Sequence, residues 1–225
     1  TPTTTATPPA PTPATPVATP TATPAPTETP TPTETPEATA TPEPEVPTYF
    51  TLESLHAALG EAPDATLGRM RIPIIGVDAA LGQRLVSGGQ MQNPTGPSDV
   101  VWYDLSLWEG LGGAPGAGGN AVFSGHVDYR ARIPWANARY QGDGIFRNLP
   151  LLAPGDVIEI EIGGQTLRYA VIWQRQVKAN SSTAEILTAD VPVDSITLIT
   201  CGGDFDSTTR SYEDRIVIRA ERIGT

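Results

Sequence analysis

Lysine and cysteine are almost missing from this 225-residue chain: Lys178 is the one lysine and Cys201 the one cysteine. A lone cysteine excludes an internal disulfide and a multi-cysteine zinc site, and leaves a thiol free for packing or for reaction. Fourteen Lys and Arg stand against 25 Asp and Glu, a formal charge of −11. That balance excludes the clustered basic surface that nucleic acid and anionic membranes require, so neither is an expected partner. No run of about 18 apolar residues occurs, and no basic segment leads into an apolar one, so neither a membrane span nor a signal peptide is legible. Attachment to a membrane is expected only through an N-terminal anchor outside these residues.

Residues 1–48 lack aromatic residues, Lys and Arg altogether, and hold fifteen of the 24 prolines in a loose Thr-Pro repeat with scattered Glu28, Glu34, Glu37, Glu43 and Glu45. Such a stretch cannot bury enough apolar surface to offset the entropy of ordering it. Proline at this density favours polyproline II, which at ~3.1 Å per residue would carry the segment on the order of 150 Å. Residues 1–48 are expected to be a disordered stalk or linker.

Beyond it, Leu52, Leu55 and Leu59 recur at helical spacing until Gly60 and Pro63, which predicts a short amphipathic helix over 51–59 within a helical segment 49–66. From Leu67 the pattern changes to short apolar runs broken by turn signals. Ile158, Ile160 and Ile162 alternate with Val157, Glu159 and Glu161, as in a strand with one wet face. Further runs lie at 69–78, 99–103, 120–126, 165–178, 195–201 and 215–223, while 110–120 holds six glycines and is expected to be loop. The fold class is therefore all-β: a closed barrel of about eight strands over 67–225, with few helical turns.

The run 195–201 ends in Cys201 and the run 120–126 ends in His126. Alternation puts Thr197, Ile199 and Cys201 on one face of a strand, and Val122, Ser124 and His126 on one face of another. The sulfur then sits where the strand gives way to a loop expected over 202–206. A cysteine and a histidine at strand ends suit a thiol nucleophile and its proton-transfer partner. The other histidine, His56, falls on the predicted helix and reads as an ordinary helix residue. Asp128 is either a third group orienting His126 or a turn residue.

Thr197-Leu198-Ile199-Thr200-Cys201 resembles the TLxTC signature of sortases, cysteine transpeptidases of bacterial cell surfaces. Arg71-Ile72-Pro73 with Gly76-Val77-Asp78-Ala79 is similar to that family's first strand pair, and Gly119 to Asp128 to the strand that bears its histidine. Cys201-Gly202-Gly203-Asp204-Phe205-Asp206, followed by Arg210-Ser211-Tyr212-Glu213-Asp214, resembles the subgroup called class F.

The resemblance implies a thioester acyl-enzyme on Cys201, proton transfer by His126, and an arginine on the oxyanion or the peptide. Arg215, at the head of the strand 215–223, is the expected arginine; class F relatives often carry Asn there, so Arg210 is the alternative. Thr200 and Gly202, flanking the nucleophile, are the expected substrate contacts, and 179–189 is the expected loop beside the sorting signal. Arg219 and Arg222 are expected in solvent-facing ion pairs with residues such as Glu221. Asp204 and Asp206 read as turn carboxylates, and no metal or cofactor is expected.

Implied partners are surface proteins carrying a C-terminal LPxTG-like sorting signal and an amine acceptor from peptidoglycan or pilin. The implied location is the extracellular face of a bacterial membrane. A thiol peptidase that mainly hydrolyses, and a non-catalytic stalked β-barrel module, are the competing readings.

Overall fold

Thr51 starts the first helix by accepting the Ser54 amide on its hydroxyl at 3.2 Å, and Gly60 ends it by returning its N–H to the His56 carbonyl at 3.0 Å. The structure is a computed structural model that describes residues 45–182, 184–209 and 211–224. The expected stalk lies outside the described residues up to position 44. Among the described residues no helix is long and apolar enough to cross a membrane.

In chain order the elements are β1 (Thr48–Tyr49), α1 (Leu52–Leu59), β2 (Gly68–Ile72), β3 (Val77–Leu85), β4 (Val100–Asp104), β5 (Asn120–Ser124), β6 (Asp128–Arg132), β7 (Arg139–Asp143), β8 (Val157–Ile162), β9 (Gln165–Lys178), α2 (Ala184–Leu187), β10 (Ser195–Asp206) and β11 (Ser211–Arg222). Eight strands close a barrel in the order β10-β11-β9-β8-β2-β3-β4-β5. Closure leaves none of these eight strands with an unpaired edge. Two neighbouring pairs, β3–β4 and β5–β10, are parallel and the rest antiparallel.

Inward-facing Met70, Ile72, Phe123, Ile158, Ile160 and Leu198 fill the barrel, and Phe146 and Leu149, which follow β7, pack into the same core. Each such side chain contributes roughly 1.5–3 kcal/mol by leaving water. The opposite face of β4, β5 and β11 is also covered. There Val101, Tyr103, Val122 and Val217 pack with Ile186 and Leu187 of α2. Central strands buried on both faces explain why 120–123 and 195–198 are apolar throughout or carry small polar residues.

A second sheet, β1-β7-β6, has no counterpart in the sequence pattern. Its strands Asp-Tyr-Arg-Ala-Arg and Arg-Tyr-Gln-Gly-Asp carry too few apolar residues to alternate. They are held by Tyr140, Ile133 and Ala138, on which Leu55 of α1 packs. The helix thus lies on this small sheet.

The expected loop over 202–206 is also absent. After Cys201 the strand β10 runs on to Asp206, with a register shift between Gly202 and Phe205, and pairs with the start of β11. The two glycines that signal a turn are instead absorbed as a bulge. Phe205 and Tyr212 then meet edge-on, ring centroids 5.1 Å apart, on the projecting hairpin.

Candidate active site

Cys201 belongs to the row Thr197, Ile199, Cys201 on the outer face of β10, and its Cα partner on β11 is Arg215. On its other side β10 runs parallel to β5, with Ile199 opposite Ser124. Two residues further along each chain, past the last paired position, stand Cys201 and His126. Two hydrogen bonds hold the chains together just short of this point, the first from the Gly125 N–H to the Ile199 carbonyl at 3.4 Å. The Thr200 hydroxyl donates to the Gly125 carbonyl at 2.8 Å.

Two glycines bracket the histidine for the same reason, close backbone approach. A Cβ on Gly125 would sit 2.8 Å from the Phe146 ring, and one on Gly144 would collide with the His126 carbonyl. That carbonyl accepts the Phe146 N–H at 2.9 Å, and Val127 accepts the Gly144 N–H at 3.0 Å. His126 is half-buried beside this seam. Its Nε2 lies 3.1 Å from the Pro94 carbonyl, and Tyr129 packs on the ring edge-on at 5.2 Å.

The thiol is half-buried and opens into a cavity of about 380 Å³ whose lining includes Val127, Arg147, Leu151, Gly202 and Tyr212. His126 is not on its wall; its chain neighbour Val127 is. A larger depression of about 490 Å³, beside Pro73, Ile74 and Arg168, carries neither a thiol nor an imidazole.

Burial pushes the Cys201 thiol up, Arg215 pulls it down, and Asp128 pushes it up again. Burial pushes the His126 imidazole down, against the Pro94 contact and the carboxylates of Asp99 and Asp128, which raise it. Both shifts favour a neutral thiol beside a neutral imidazole at rest.

Arg215 is part-buried and donates through Nη1 to the carbonyls of Tyr212 (3.0 Å) and Asp214 (2.9 Å), so the remaining N–H groups of its fork stay available. Gly202 lines the cavity, and a Cβ there would meet Ile216 at 2.7 Å. The Thr200 side chain turns inward, 2 % exposed, with its hydroxyl committed to Gly125. It offers a substrate no side-chain surface, because it falls on the opposite row from Cys201. Asp128 makes no hydrogen bond to His126 among the described residues; its nearest cation is Arg130 at 3.4 Å. Arg210 lies outside the described residues.

Two arginines differ from expectation. Arg219 is buried, donating to the Thr197 hydroxyl (2.9 Å) and the Ile186 carbonyl (3.1 Å) beneath Trp173. Arg222 pairs with Asp194 at 3.7 Å and lies over Tyr169. Counting along β11 gives the reason: 215, 217 and 219 share the covered outer face, so position 219 cannot reach solvent.

Arg147 and Leu151 line the cavity but carry no signal in the sequence, whereas Tyr212, also on its wall, lies in the segment that resembles class F. Arg147 and Leu151 come from the segment after β7, and Tyr212 from the projecting hairpin. Pro94 reads only as a turn.

A Sortase domain profile matches residues 70–223. The chain belongs to the sortase family. Sortases are cell-surface cysteine transpeptidases that join sorting-signal proteins to amine acceptors. Among solved structures, sortase A from Corynebacterium diphtheriae is 26 % identical and superposes with a TM-score of 0.50 over 77 % of this chain and 67 % of its own. A lid mutant of that enzyme is 24 % identical with a TM-score of 0.50, covering 77 % of each chain. A sortase D transpeptidase from Clostridium perfringens is 19 % identical with a TM-score of 0.48, over 78 % of this chain and 90 % of its own. No curated protein sequence matches significantly. The barrel, with Cys201 on its wall, is a sortase barrel.

Proposed function

We propose that this sortase is class F-like, cleaves an LPxTG-type sorting signal between Thr and Gly, and passes the acyl group to a cell-wall or pilin amine. Cys201 is the nucleophile, His126 the proton-transfer group, and Arg215 the cation on the developing oxyanion. The observation that carries this reading is the register: Arg215 stands across from Cys201 on one neighbouring strand, and His126 lies in line with it past the end of the other.

The chemistry runs in two halves. The thiol proton moves to His126 and the sulfur attacks the Thr carbonyl carbon, giving a tetrahedral oxyanion beside Arg215. The C–N bond then breaks, and the departing Gly amine takes the proton from the imidazolium, leaving a thioester. The acceptor amine attacks the thioester, its proton passes to His126, and the C–S bond breaks to free the product. Gly202, with no side chain on the cavity wall, leaves room for the peptide backbone.

In this reading residues 67–225 are the catalytic domain, 49–66 a helical lead-in, and 1–48 the spacer that lifts them from an N-terminal membrane anchor on the extracellular face. The test is a quenched LPxTG peptide incubated with and without an added amine. Amine-bearing product that vanishes in Cys201→Ala supports transfer. Free acid alone, whatever the amine concentration, makes the enzyme a hydrolase, and cleavage by Cys201→Ala overturns the assignment.

A further inference from the structure

His126 meets a backbone carbonyl where a carboxylate partner is usual, and that carbonyl is held with unusual care. Pro94 begins a tight loop, 94–99, folded around the side chain of Asp99, which is 2 % exposed. One Asp99 oxygen accepts the Gly96 N–H at 2.7 Å and the other the Thr95 N–H at 3.0 Å. Outside, the Thr95 hydroxyl donates to Asp64 at 2.8 Å, and Arg84 bridges Asp64 and Thr95. The Pro97 carbonyl accepts the Ile145 N–H at 2.8 Å, which ties the loop to the segment that abuts His126. A carbonyl oxygen only accepts, so the contact at 3.1 Å puts the hydrogen on Nε2 and leaves the lone pair of the neutral ring on Nδ1.

We infer that the loop 94–99 is a tautomer clamp: Asp99 is a positioning residue that holds the Pro94 carbonyl on Nε2–H, so that His126 exchanges its catalytic proton through Nδ1. The buried charge has a second effect. Asp99 and Asp128 are the carboxylates that favour imidazolium, and Tyr129 meets the ring from β6. Asp99 therefore offsets part of the burial that holds the imidazole neutral, which eases its uptake of the thiol proton. Asn at position 99 keeps the shape but loses the charge and turns one acceptor into a donor facing an N–H. Both functions of the clamp fail together.

The inference rests on His126 being the proton-transfer group, and the test separates the two. Nitrogen-15 spectra of labelled imidazole in the wild-type enzyme above the His126 titration are expected to show a protonated Nε2 and a bare Nδ1. A protonated Nδ1 overturns the clamp without any variant. In Asp99→Asn the tautomer signature is expected to blur, the His126 titration to move to lower pH, and kcat for the LPxTG peptide to fall roughly tenfold with KM little changed, less than the ~10²–10⁴ that proton transfer supplies in full. Thermal unfolding of the variant, read alongside, separates these losses from global unfolding. A folded Asp99→Asn with wild-type kcat and titration overturns the inference while the assignment of His126 stands. Full activity in His126→Ala overturns the assignment itself.

Discussion

Cys201 and Arg215 are direct cross-strand partners on the β10–β11 pair, so the guanidinium is a charge built into the sheet that favours a thiolate. Asp128 acts on the same sulfur with the opposite sign. The two residues therefore set the ionisation of the thiol by pulling against each other, on top of the burial that raises it.

Arg215→Met is expected to raise the thiol's apparent pKa further and Asp128→Asn to lower it. Alkylation by iodoacetamide, followed against pH, reads this directly: at a fixed pH near neutrality the first variant reacts more slowly than wild type and the second faster. Identical profiles for wild type and Arg215→Met would show that the guanidinium does not act on the sulfur.

The same arginine is expected to matter more in turnover than in ground-state reactivity, because charge on the oxyanion appears only during reaction. Arg215→Ala should lose about 10²–10³ in kcat on an LPxTG peptide. Arg215→Lys should recover a minor part, since an ammonium lacks the planar fork that spans carbonyl and oxyanion together. A Lys variant at full activity would reduce the role of Arg215 to simple charge.

Thr200 is expected to act through strand register. Thr200→Val removes the donor to the Gly125 carbonyl within a buried seam and should cost about 1–2 kcal/mol, read from urea denaturation. Thr200→Ser keeps the hydroxyl and should restore most of it. If KM for the peptide rose in Thr200→Val with stability unchanged, direct substrate contact would be the better account.

Arg219 sits in a network that also includes Asn120, whose side chain accepts from Thr197 at 2.7 Å and donates to Ile186 at 2.8 Å. Arg219→Ala removes three hydrogen bonds and the stacking on Trp173, an expected loss of about 2 kcal/mol of stability. Glu221→Gln, the control for a surface ion pair, should leave the urea midpoint unchanged. Equal effects from the two would return Arg219 to the surface.

The barrel was legible because its strands announce themselves through alternation, as in 157–162, or through apolar runs too short for helices, as in 195–201. The β6–β7 hairpin was not, since Tyr140 alone in 139–143 is buried and a single tyrosine sets no period. Gly202-Gly203 misled in the other direction, because glycine pairs mark turns and bulges alike and only the partner strand decides which. Within the site, Cys201 and His126 could be named from the two apolar runs of sequence that end in them, whereas the Pro94 carbonyl could not, since a backbone acceptor leaves no trace in residue identity. Arg219 was misplaced because nothing in 215–223 reveals that α2 covers that face.

The parallel joining of β5 to β10 has a consequence for biosynthesis. The groove around Cys201 needs residue 125 bonded to residue 200, and then β11, which follows both along the chain. Nascent sortase therefore carries a thiol whose neighbours have not yet arrived, and contacts of such long sequence separation form slowly. Competence waits until β11 has been made and has paired with β10.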